Sequence, residues 1–319
     1  MSPSLSTLAT IPLGLLIARQ LFAALGAFRP AVPATDPSRN LDGVLTGVKA
    51  ADGFLKVVVP FFRKAVADST ARAWLSSLSQ VMTPWFFIAG VQGLKEGGSA
   101  LHLLYPVMAV GMQIAGVGLV TPLIWVPALL ASPPSLASLP ATPKTTLALA
   151  LLTVGQLGNL FVASQITKKD PKGSKFIAWF QISPALAWLA WSFVPYIPDS
   201  SPVLASIPAA HPEATKYLLL SLTPLTLLTH VATVTSLLRS SARRAEFFSI
   251  FTAPESRSVP GKIAANFLAW DFVGLLAAVA YYVAYVGGEF DQDRLVTFAT
   301  RALVVGPGTA TTWTFSEVL

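Results

Sequence analysis

The chain alternates between long apolar runs and short polar segments, and this alternation is its main structural signal. Most of the runs approach the length of about 20 residues that an α-helix needs to cross the hydrocarbon core of a bilayer. The runs cover residues 8–28, 74–94, 101–130, 145–166, 176–197, 217–238, 263–286 and 295–305. The pattern predicts an all-α protein, a polytopic transmembrane helical bundle with seven to eight spans.

Two apolar runs are too short or too polar to be complete spans by this criterion. Residues 51–62 contain Asp52, Lys56 and Pro60, and this short run suits a re-entrant or interfacial segment better than a full span. Residues 295–305 are also short and contain Arg301. Whether residues 51–62 cross stays open at this point, and with it the side on which the N-terminus lies.

The composition supports a membrane protein and excludes several other classes. Of the 319 residues, 53% are hydrophobic and 12% are charged, whereas soluble domains carry about 25% charged residues. These values exclude a disordered chain and an ordinary cytosolic enzyme, and they predict one integral-membrane helical domain over residues 1–319. The chain has no Cys and its three His form no HExxH motif, so we predict no metal and no cofactor. No internal repeat is detectable in the sequence.

The net charge of +7 comes from basic residues that lie between the apolar runs. Residues 168–175 contain four lysines, and residues 239–262 contain five basic side chains. Two predicted spans separate these loops, so both should lie on one face, the cytosolic one by the positive-inside rule. Orientation and contact with anionic lipid headgroups explain the charge better than nucleic-acid binding does. We therefore expect the lipid bilayer as a partner and no nucleic acid.

Asp271 is the leading candidate for a catalytic residue. It lies about nine residues, or roughly 13 Å of helix, inside the run that begins near Lys262. Ionisable side chains at membrane depth are costly and usually face a cavity or a partner. Apolar surroundings favour the neutral form of a carboxylic acid, which can donate a proton. The alternative is a structural salt bridge or a hydrogen bond between helices.

Asp52 and Glu96 are the other candidate acids. Asp52 lies one helical turn before Lys56, so an ordinary surface ion pair is an equally good interpretation. Glu96 lies at the end of an apolar run, where charge costs little, and its alternative is an interfacial loop residue. His230 lies within a run and is either a hydrogen-bonded structural residue or a substrate-binding one.

Amide and aromatic side chains within the runs could line a substrate cavity. Hydrogen bonding between helices explains most of the amides, and lipid contact explains about half of the aromatics. Ring faces also stabilise carbocations, so an acid beside an aromatic wall is what a protonation-initiated cyclisation requires. The predicted substrate-binding residues are Gln92, Trp85, Gln113, Trp179, Phe180, Gln181, His230 and Trp270.

Four short motifs carry a resemblance to a known family. They occupy residues 52–62, then residues 92–98 with Tyr105-Pro106 and residues 113–123, then residues 267–271, and finally residues 306–308 with Trp313 and Glu317. In this order and spacing they resemble the fungal integral-membrane terpene cyclases of meroterpenoid and indole-diterpene pathways. The resemblance is to the longer branch of about eight predicted spans, which includes the ascofuranone-type cyclase.

The resemblance implies metal-independent cyclisation of a prenyl chain in the endoplasmic reticulum membrane, as part of secondary metabolism. Protonation of an epoxide or alkene would start the reaction, with Asp271 as general acid and Asp52 or Glu96 as an orienting or second acid. The second motif departs from the family pattern, because Gln92, Lys95 and Gly98 stand where an acid, an Arg and an Asn are expected. The alternative function is a non-catalytic membrane carrier or scaffold protein. A closed aromatic pocket would favour the enzyme, and a water path open to both sides would favour the carrier.

Overall fold

The structure is a computed structural model that describes residues 8–41, 43–94, 99–131, 139–167 and 172–318. These residues form helices and their connections, with no strand among them, as the all-α prediction requires. The helices are α1 (Ile11–Ala31), α2 (Lys49–Ala67), α3 (Ser69–Leu94), α4 (Ser99–Ala115), α5 (Val117–Val120), α6 (Val126–Ala131), α7 (Pro143–Gln165), α8 (Lys172–Ser192), α9 (Pro202–Ala205), α10 (Ala214–Ser221), α11 (Thr223–Leu238), α12 (Ser241–Ser249), α13 (Pro260–Tyr285), α14 (Gln292–Val305) and α15 (Pro307–Val318).

Five helical segments in the described part of the chain are long and apolar enough to cross a bilayer. They are Ile11–Ala31, Pro143–Gln165, Lys172–Tyr196, Ala214–Leu238 and Pro260–Tyr285. Their outer faces expose large apolar side chains, among them Phe22, Phe161 and Leu228, which is typical of contact with lipid. The protein is therefore a helical membrane protein. These five segments are fewer than the predicted seven to eight spans.

The apolar run at residues 101–130 does not form the single span that the sequence predicts. The chain reverses at Gly116, whose φ of +96° lies in the left-handed region that glycine adopts without a Cβ clash. The ring centroids of Tyr105 and Trp125 lie 5.0 Å apart. In a continuous helix these two residues would be separated by about 30 Å. Helix α4 therefore pairs with α5 and α6 as a helical hairpin, which we call the first hairpin.

A second hairpin follows the same design near the C-terminal end. Helix α14 ends at Gly306, whose φ is +90°, and α15 folds back from there. The two terminal nitrogens of the Arg301 guanidinium each lie 2.8 Å from an oxygen of Glu317, a contact that a continuous helix would not permit. The run at residues 295–305 is therefore one arm of this second hairpin, and its Arg301 is paired.

The two hairpins belong to two halves with the same order of elements. The first half consists of α1, α2, α3 and the first hairpin. The second half consists, in the same order, of α10–α11, α12, α13 and the second hairpin. Helices α7 and α8 lie between the halves. Gly118 of the first hairpin packs against Asp271 of α13, and Gly308 of the second packs against Gln80 of α3. Asp271 and Gln80 each lie eleven residues into a 26-residue helix. The structure thus contains an architectural repeat that was not detectable in the sequence.

Helix α2 lies at one end of the bundle, as an interfacial segment would. The ring of Phe61 contacts Phe28 near the end of α1 and Phe267 near the start of α13. Its neighbour Phe62 contacts Phe180, which lies eight residues into α8. Helices α8 and α13 therefore both start on the side of the bundle where α2 lies, which is the arrangement predicted for the two basic loops.

This arrangement predicts the outcome of accessibility labelling in a chain that has no cysteine of its own. Single cysteines in place of Lys175 and Arg257 should react with an impermeant maleimide from the same side of sealed vesicles. A cysteine in place of Glu289, which follows the far end of α13, should react from the opposite side. The unmodified chain is the unreactive control, and labelling of positions 175 and 257 from opposite sides would contradict the topology.

Candidate functional site

A cavity of about 230 Å³ lies between α1, α2, α3, the first hairpin, α8 and α13. Most of its wall is apolar or aromatic, and a few polar groups converge on it, which is typical of a small-molecule site. The wall consists of Leu25, Phe54, Val57, Val58, Phe61, Phe62, Leu75, Leu78, Ser79, Met82, Met112, Gln113, Ile114, Gly116, Val117, Phe180, Gln181, Phe267, Leu268 and Asp271.

Asp271 lies in this wall and is 4% exposed. Its Oδ1 accepts a hydrogen bond of 2.6 Å from the backbone N–H of Gly118, at the start of α5. The two helices approach closely because Gly118 and Gly274 have no side chains. A Cβ on Gly118 would overlap the carbonyl of Asp271, and a Cβ on Gly274 would overlap that of Gly118. The sequence therefore brings this carboxyl group to the tip of the first hairpin.

The contact gives Asp271 a structural role. The sequence suggested only that this acid could form a salt bridge or a hydrogen bond between helices. Gly116, the residue before α5, has no side chain to accept a hydrogen bond from the first turn. An unpaired N–H at a helix start is normally satisfied by a capping side chain. Asp271 performs this function from a different helix. The same carboxyl group thus caps α5 and faces the cavity.

Four of the residues predicted for the site do meet at the cavity, namely Asp271, Gln113, Phe180 and Gln181. The Nε2 of Gln181 donates to the carbonyl of Ile177 at 3.4 Å. The Oε1 of Gln181 is buried and has no hydrogen-bond partner among the described residues.

Three predicted tryptophans do not line the cavity. Trp85 is fully buried against Trp125 and Tyr282 in another part of the bundle. Trp179 is 57% exposed on the outer surface, and Trp270 packs on the ring of Phe251. The apolar runs of the sequence contain all three residues. They do not reveal which side of a helix faces a cavity when the opposite side faces lipid.

The remaining predicted residues also lie away from the cavity or outside the described residues. Thr46 and Gly47 donate backbone hydrogen bonds to the Asp52 carboxylate, and the bond from Thr46 lowers the pKa of Asp52. Asp52 lies in the first turn of α2 and does not line the cavity. Gln92 lies near the far end of α3, and His230 packs against Gly306. Glu96 lies outside the described residues.

Helix α2 supplies an aromatic part of the wall that the site prediction missed. Phe54, Val58, Phe61 and Phe62 face the cavity. Their spacing of three, four, seven and eight residues is that of one helical face, so the signal was present in the sequence. The rings of Phe61 and Phe62 meet at 5.5 Å between centroids, and Phe61 meets Phe267 at 5.1 Å.

A dense aromatic cluster closes the bundle beyond the cavity. It consists of Trp85, Tyr105, Trp125, Trp188 and Trp191, each at most 2% exposed. On α3, α4 and α8 these residues lie about one to three helical turns beyond the cavity residues Met82, Met112 and Gln181. Tyr105 contacts Trp188 and Trp191 at 4.6 and 4.8 Å and donates its hydroxyl proton to the carbonyl of Phe86. The cavity is therefore blocked on the side away from α2.

The rim of the cavity is apolar. Val57 of α2 and Ile114 of α4 line it and are 39% and 59% exposed, so they mark its opening on the outer surface. An opening bounded by such side chains suits a ligand that arrives from the lipid phase.

Comparisons of the chain with family models, with curated proteins and with solved structures find no match. The family suggested by the four short motifs therefore enters below as a proposal.

The capping contact predicts different stabilities for two variants of Asp271. Asp271→Ala removes the acceptor for Gly118, and loss of a cap costs about 0.5–2 kcal/mol of stability. Asp271→Asn keeps an acceptor oxygen and should unfold close to the wild-type temperature. Thermal unfolding of both proteins in the same detergent is the measurement. Equal destabilisation by Ala and Asn would contradict the capping role.

The position of α2 depends in part on an ion pair between Asp36 and Lys64, whose charged atoms lie 2.7 Å apart. Burial raises the pKa of Asp36, but hydrogen bonds from Lys64 and Ser38 outweigh it and hold the pKa at about 2. Because the folded pKa lies below the ordinary 3.8, the pair stabilises the fold above pH 3.8, and this stabilisation is lost as the pH falls towards 2.

Asp36→Asn should therefore lower the stability at pH 7 by up to about 1 kcal/mol. The difference from the wild type should shrink between pH 3.8 and 2, where the wild-type carboxylate becomes protonated. Thermal unfolding followed across this pH range measures the effect. A difference that stays constant over the range would show that the ion pair is not its source.

Proposed function

We propose that this protein is a membrane-bound terpene cyclase that protonates an epoxide or alkene of a prenyl chain and so starts a cationic cyclisation. The observation that carries the proposal is the position of Asp271, a buried acid in the wall of an apolar, aromatic cavity. The four-motif resemblance supports the same chemistry and implies that it needs no metal. Fungal secondary metabolism and the endoplasmic reticulum membrane enter the proposal through that resemblance alone.

The proposed reaction assigns each group of the cavity a role. The protonated Asp271 carboxyl transfers its proton to the epoxide oxygen or to an alkene carbon, and the C–O bond or the π bond breaks to leave a carbocation. Alkene π electrons then close the ring. Loss of a proton from the final cation ends the reaction, so that product and substrate are isomers. The Gly118 N–H would stabilise the carboxylate left on Asp271, because hydrogen bonds to charged acceptors are strong.

The aromatic wall is suited to the cationic intermediates. The rings of Phe61, Phe62, Phe180 and Phe267 border the same cavity as the Asp271 carboxyl. Ring faces attract cations, and the attraction grows when water is excluded. The aromatic cluster beyond the cavity would keep water from one side, and the apolar rim would admit a prenyl chain from the bilayer. A closed site of this kind protects reactive cations from hydrolysis.

The span count of the proposed family is also compatible with this fold. Counting α3 and the two hairpins with the five long segments makes eight membrane-embedded units. A re-entrant hairpin and a crossing helix can have the same apolar composition. A sequence with this architecture would therefore be predicted to have about eight spans. The seven to eight spans of the proposal are membrane-embedded units counted in this way.

Asp271→Asn tests the proposed proton transfer. The amide keeps the shape and the hydrogen-bond acceptor for Gly118 but has no acidic proton. General acid catalysis contributes about 10²–10⁴-fold, so turnover should fall by that factor while expression and thermal stability stay near normal. Membranes containing the variant are incubated with prenylated and epoxidised phenols, and products are identified by mass spectrometry.

Trp179→Leu and Gln92→Leu are the matched controls, because both side chains lie in the spans but outside the cavity. Both should retain wild-type turnover. Full activity of Asp271→Asn would refute its role as general acid, and the absence of any cyclised product from the wild type would count against the cyclase itself.

A membrane carrier is the second candidate function, and the architectural repeat favours it. Many secondary transporters consist of two repeats with helices broken near the middle of the membrane. Gly116 and Gly306 break the chain at equivalent positions of the two halves. Uptake of a tritiated prenyl alcohol into sealed proteoliposomes would support the carrier, whereas conversion without net uptake would support the enzyme.

A further inference from the structure

A second pocket, polar and open, lies at the end of the bundle where α2 lies. It has a volume of about 520 Å³ and forms between Lys56 of α2 and the loop at residues 32–48, which joins α1 to α2. We refer to it as the basic pocket. It shares no residue with the cavity that Asp271 lines, so it is a separate site. Its wall consists of Ala34, Arg39, Asn40, Leu41, Gly43, Leu45 and Lys56.

Three basic side chains from three parts of the chain converge on the basic pocket. Arg39 belongs to the loop and Lys56 to α2, and both line the pocket. Lys175 belongs to the first turn of α8, and a Cβ on Gly43 would lie 3.5 Å from its Nζ. No acidic side chain is among the described residues of the wall. The pocket therefore concentrates positive charge that its described wall does not neutralise.

The acidic residues nearest to the pocket are engaged elsewhere or lie outside the described residues. The Asp36 carboxylate pairs with the ammonium group of Lys64 at 2.7 Å. The Asp52 carboxylate accepts hydrogen bonds from two backbone N–H groups and one hydroxyl of the loop. Asp42 lies outside the described residues. Two of the three acids thus have partners of their own.

The basic side chains differ in how far they are already used. Arg39 donates from Nη2 to the carbonyls of Arg29 and Val32, at 3.1 and 2.6 Å, which fixes its position in the loop. Lys56 and Lys175 are exposed and form no ion pair or hydrogen bond with the described residues. The charge of Asp52, one helical turn away, attracts Lys56 only through space. The two ammonium groups are therefore free to bind an anion.

Exposed apolar side chains lie beside the basic pocket. Leu45 in its wall is 47% exposed, and Val48 at the end of the same loop is 59% exposed. Val57, which follows Lys56 on α2, is 39% exposed and borders the opening of the cavity. Basic and apolar side chains exposed together are typical of a segment that lies at the headgroup level of a bilayer. A water-soluble anion would leave these apolar groups unused.

We infer that the basic pocket binds the phosphate group of an anionic phospholipid from the adjacent leaflet. Lys56 and Lys175 donate charge-assisted hydrogen bonds to the phosphate oxygens, and the fixed guanidinium of Arg39 adds a third positive charge. The volume of about 520 Å³ admits a whole headgroup rather than a phosphate alone. The lipid would bind next to the opening of the cavity, because Lys56 and Val57 are consecutive residues. The site uses neither Asp271 nor the proposed cyclisation.

Lipid binding to the full chain tests this inference. Protein purified in a neutral detergent is titrated with phosphatidylglycerol and with phosphatidylcholine of the same acyl chains, and native mass spectrometry counts the bound lipid. Both lipids carry a phosphate, but the choline ammonium cancels the charge of the second. One saturable site should bind phosphatidylglycerol about tenfold more tightly than phosphatidylcholine. Glycerol 3-phosphate, which has the phosphate without acyl chains, should compete only at much higher concentration.

Lys56→Gln and Lys175→Gln should each weaken phosphatidylglycerol binding by about fivefold, which is the attraction expected from one basic side chain beside an anionic lipid. Neither should change the binding of phosphatidylcholine. Both should unfold at the wild-type temperature without added lipid, because neither lysine has an ion-pair partner among the described residues. Arg257→Gln is the matched control, since Arg257 is exposed and lies outside the pocket. This control should keep the wild-type preference.

Three results would overturn the inference. Equal wild-type affinity for the two lipids would show that the pocket does not select an anionic headgroup. Glycerol 3-phosphate that binds as tightly as phosphatidylglycerol would assign the pocket to a soluble phosphate. Equal losses in Arg257→Gln and in the two lysine variants would assign the preference to general surface charge. None of these measurements involves turnover, so a failure of the cyclase proposal and a failure of this site are distinguishable.

Discussion

The structure depends on how the chain satisfies the backbone hydrogen bonds where an apolar helix is broken inside the helix bundle. Hydrocarbon offers no hydrogen bonds, so an irregular backbone is tolerated there only if protein groups pair with it. The break at Gly116 exposes the first N–H groups of α5, and the Asp271 carboxyl pairs with the N–H of Gly118. Gly118 and Gly274 permit the close approach that this bond requires. The acid thus has a structural reason to lie in a membrane helix, and its position on the cavity wall follows from the same contact.

The two halves use this design differently, and the candidate site lies at the half that carries the acid. Asp271 faces the tip of the first hairpin, whereas Gln80 occupies the equivalent position at the second hairpin and carries no transferable proton. Helices α7 and α8 have no counterpart in the repeat. Of these two helices, α8 contributes Phe180 and Gln181 to the cavity. The candidate site therefore forms where the two halves differ. Asp271 stands in one half where Gln80 stands in the other, and α7 and α8 occur only once.

The sequence predicts the helical class, five long apolar segments and four residues that line the cavity, because these properties depend on composition and local spacing. It does not predict the two hairpins, since a helix that crosses and a helix that returns at a glycine can be equally apolar. The same ambiguity explains why Trp85 and Trp179 were assigned to the cavity: one packs in a separate cluster and the other faces outward.

The aromatic cluster bears on the choice between the two candidate functions. A carrier has to open its site to each side of the membrane in turn, so the contacts that close one side must separate during every cycle. Here that side is closed by five buried rings. Those of Trp85, Tyr105, Trp125 and Trp188 meet edge to face, and that of Trp191 meets Tyr105 at a tilted angle. Such pairs add favourable energy beyond the area that they bury, and opening the cluster would break several of them together. An enzyme that takes an apolar substrate from the lipid and returns an isomer to it needs no such opening. The interlocked rings and the apolar rim are therefore better suited to catalysis within the bilayer than to transport across it.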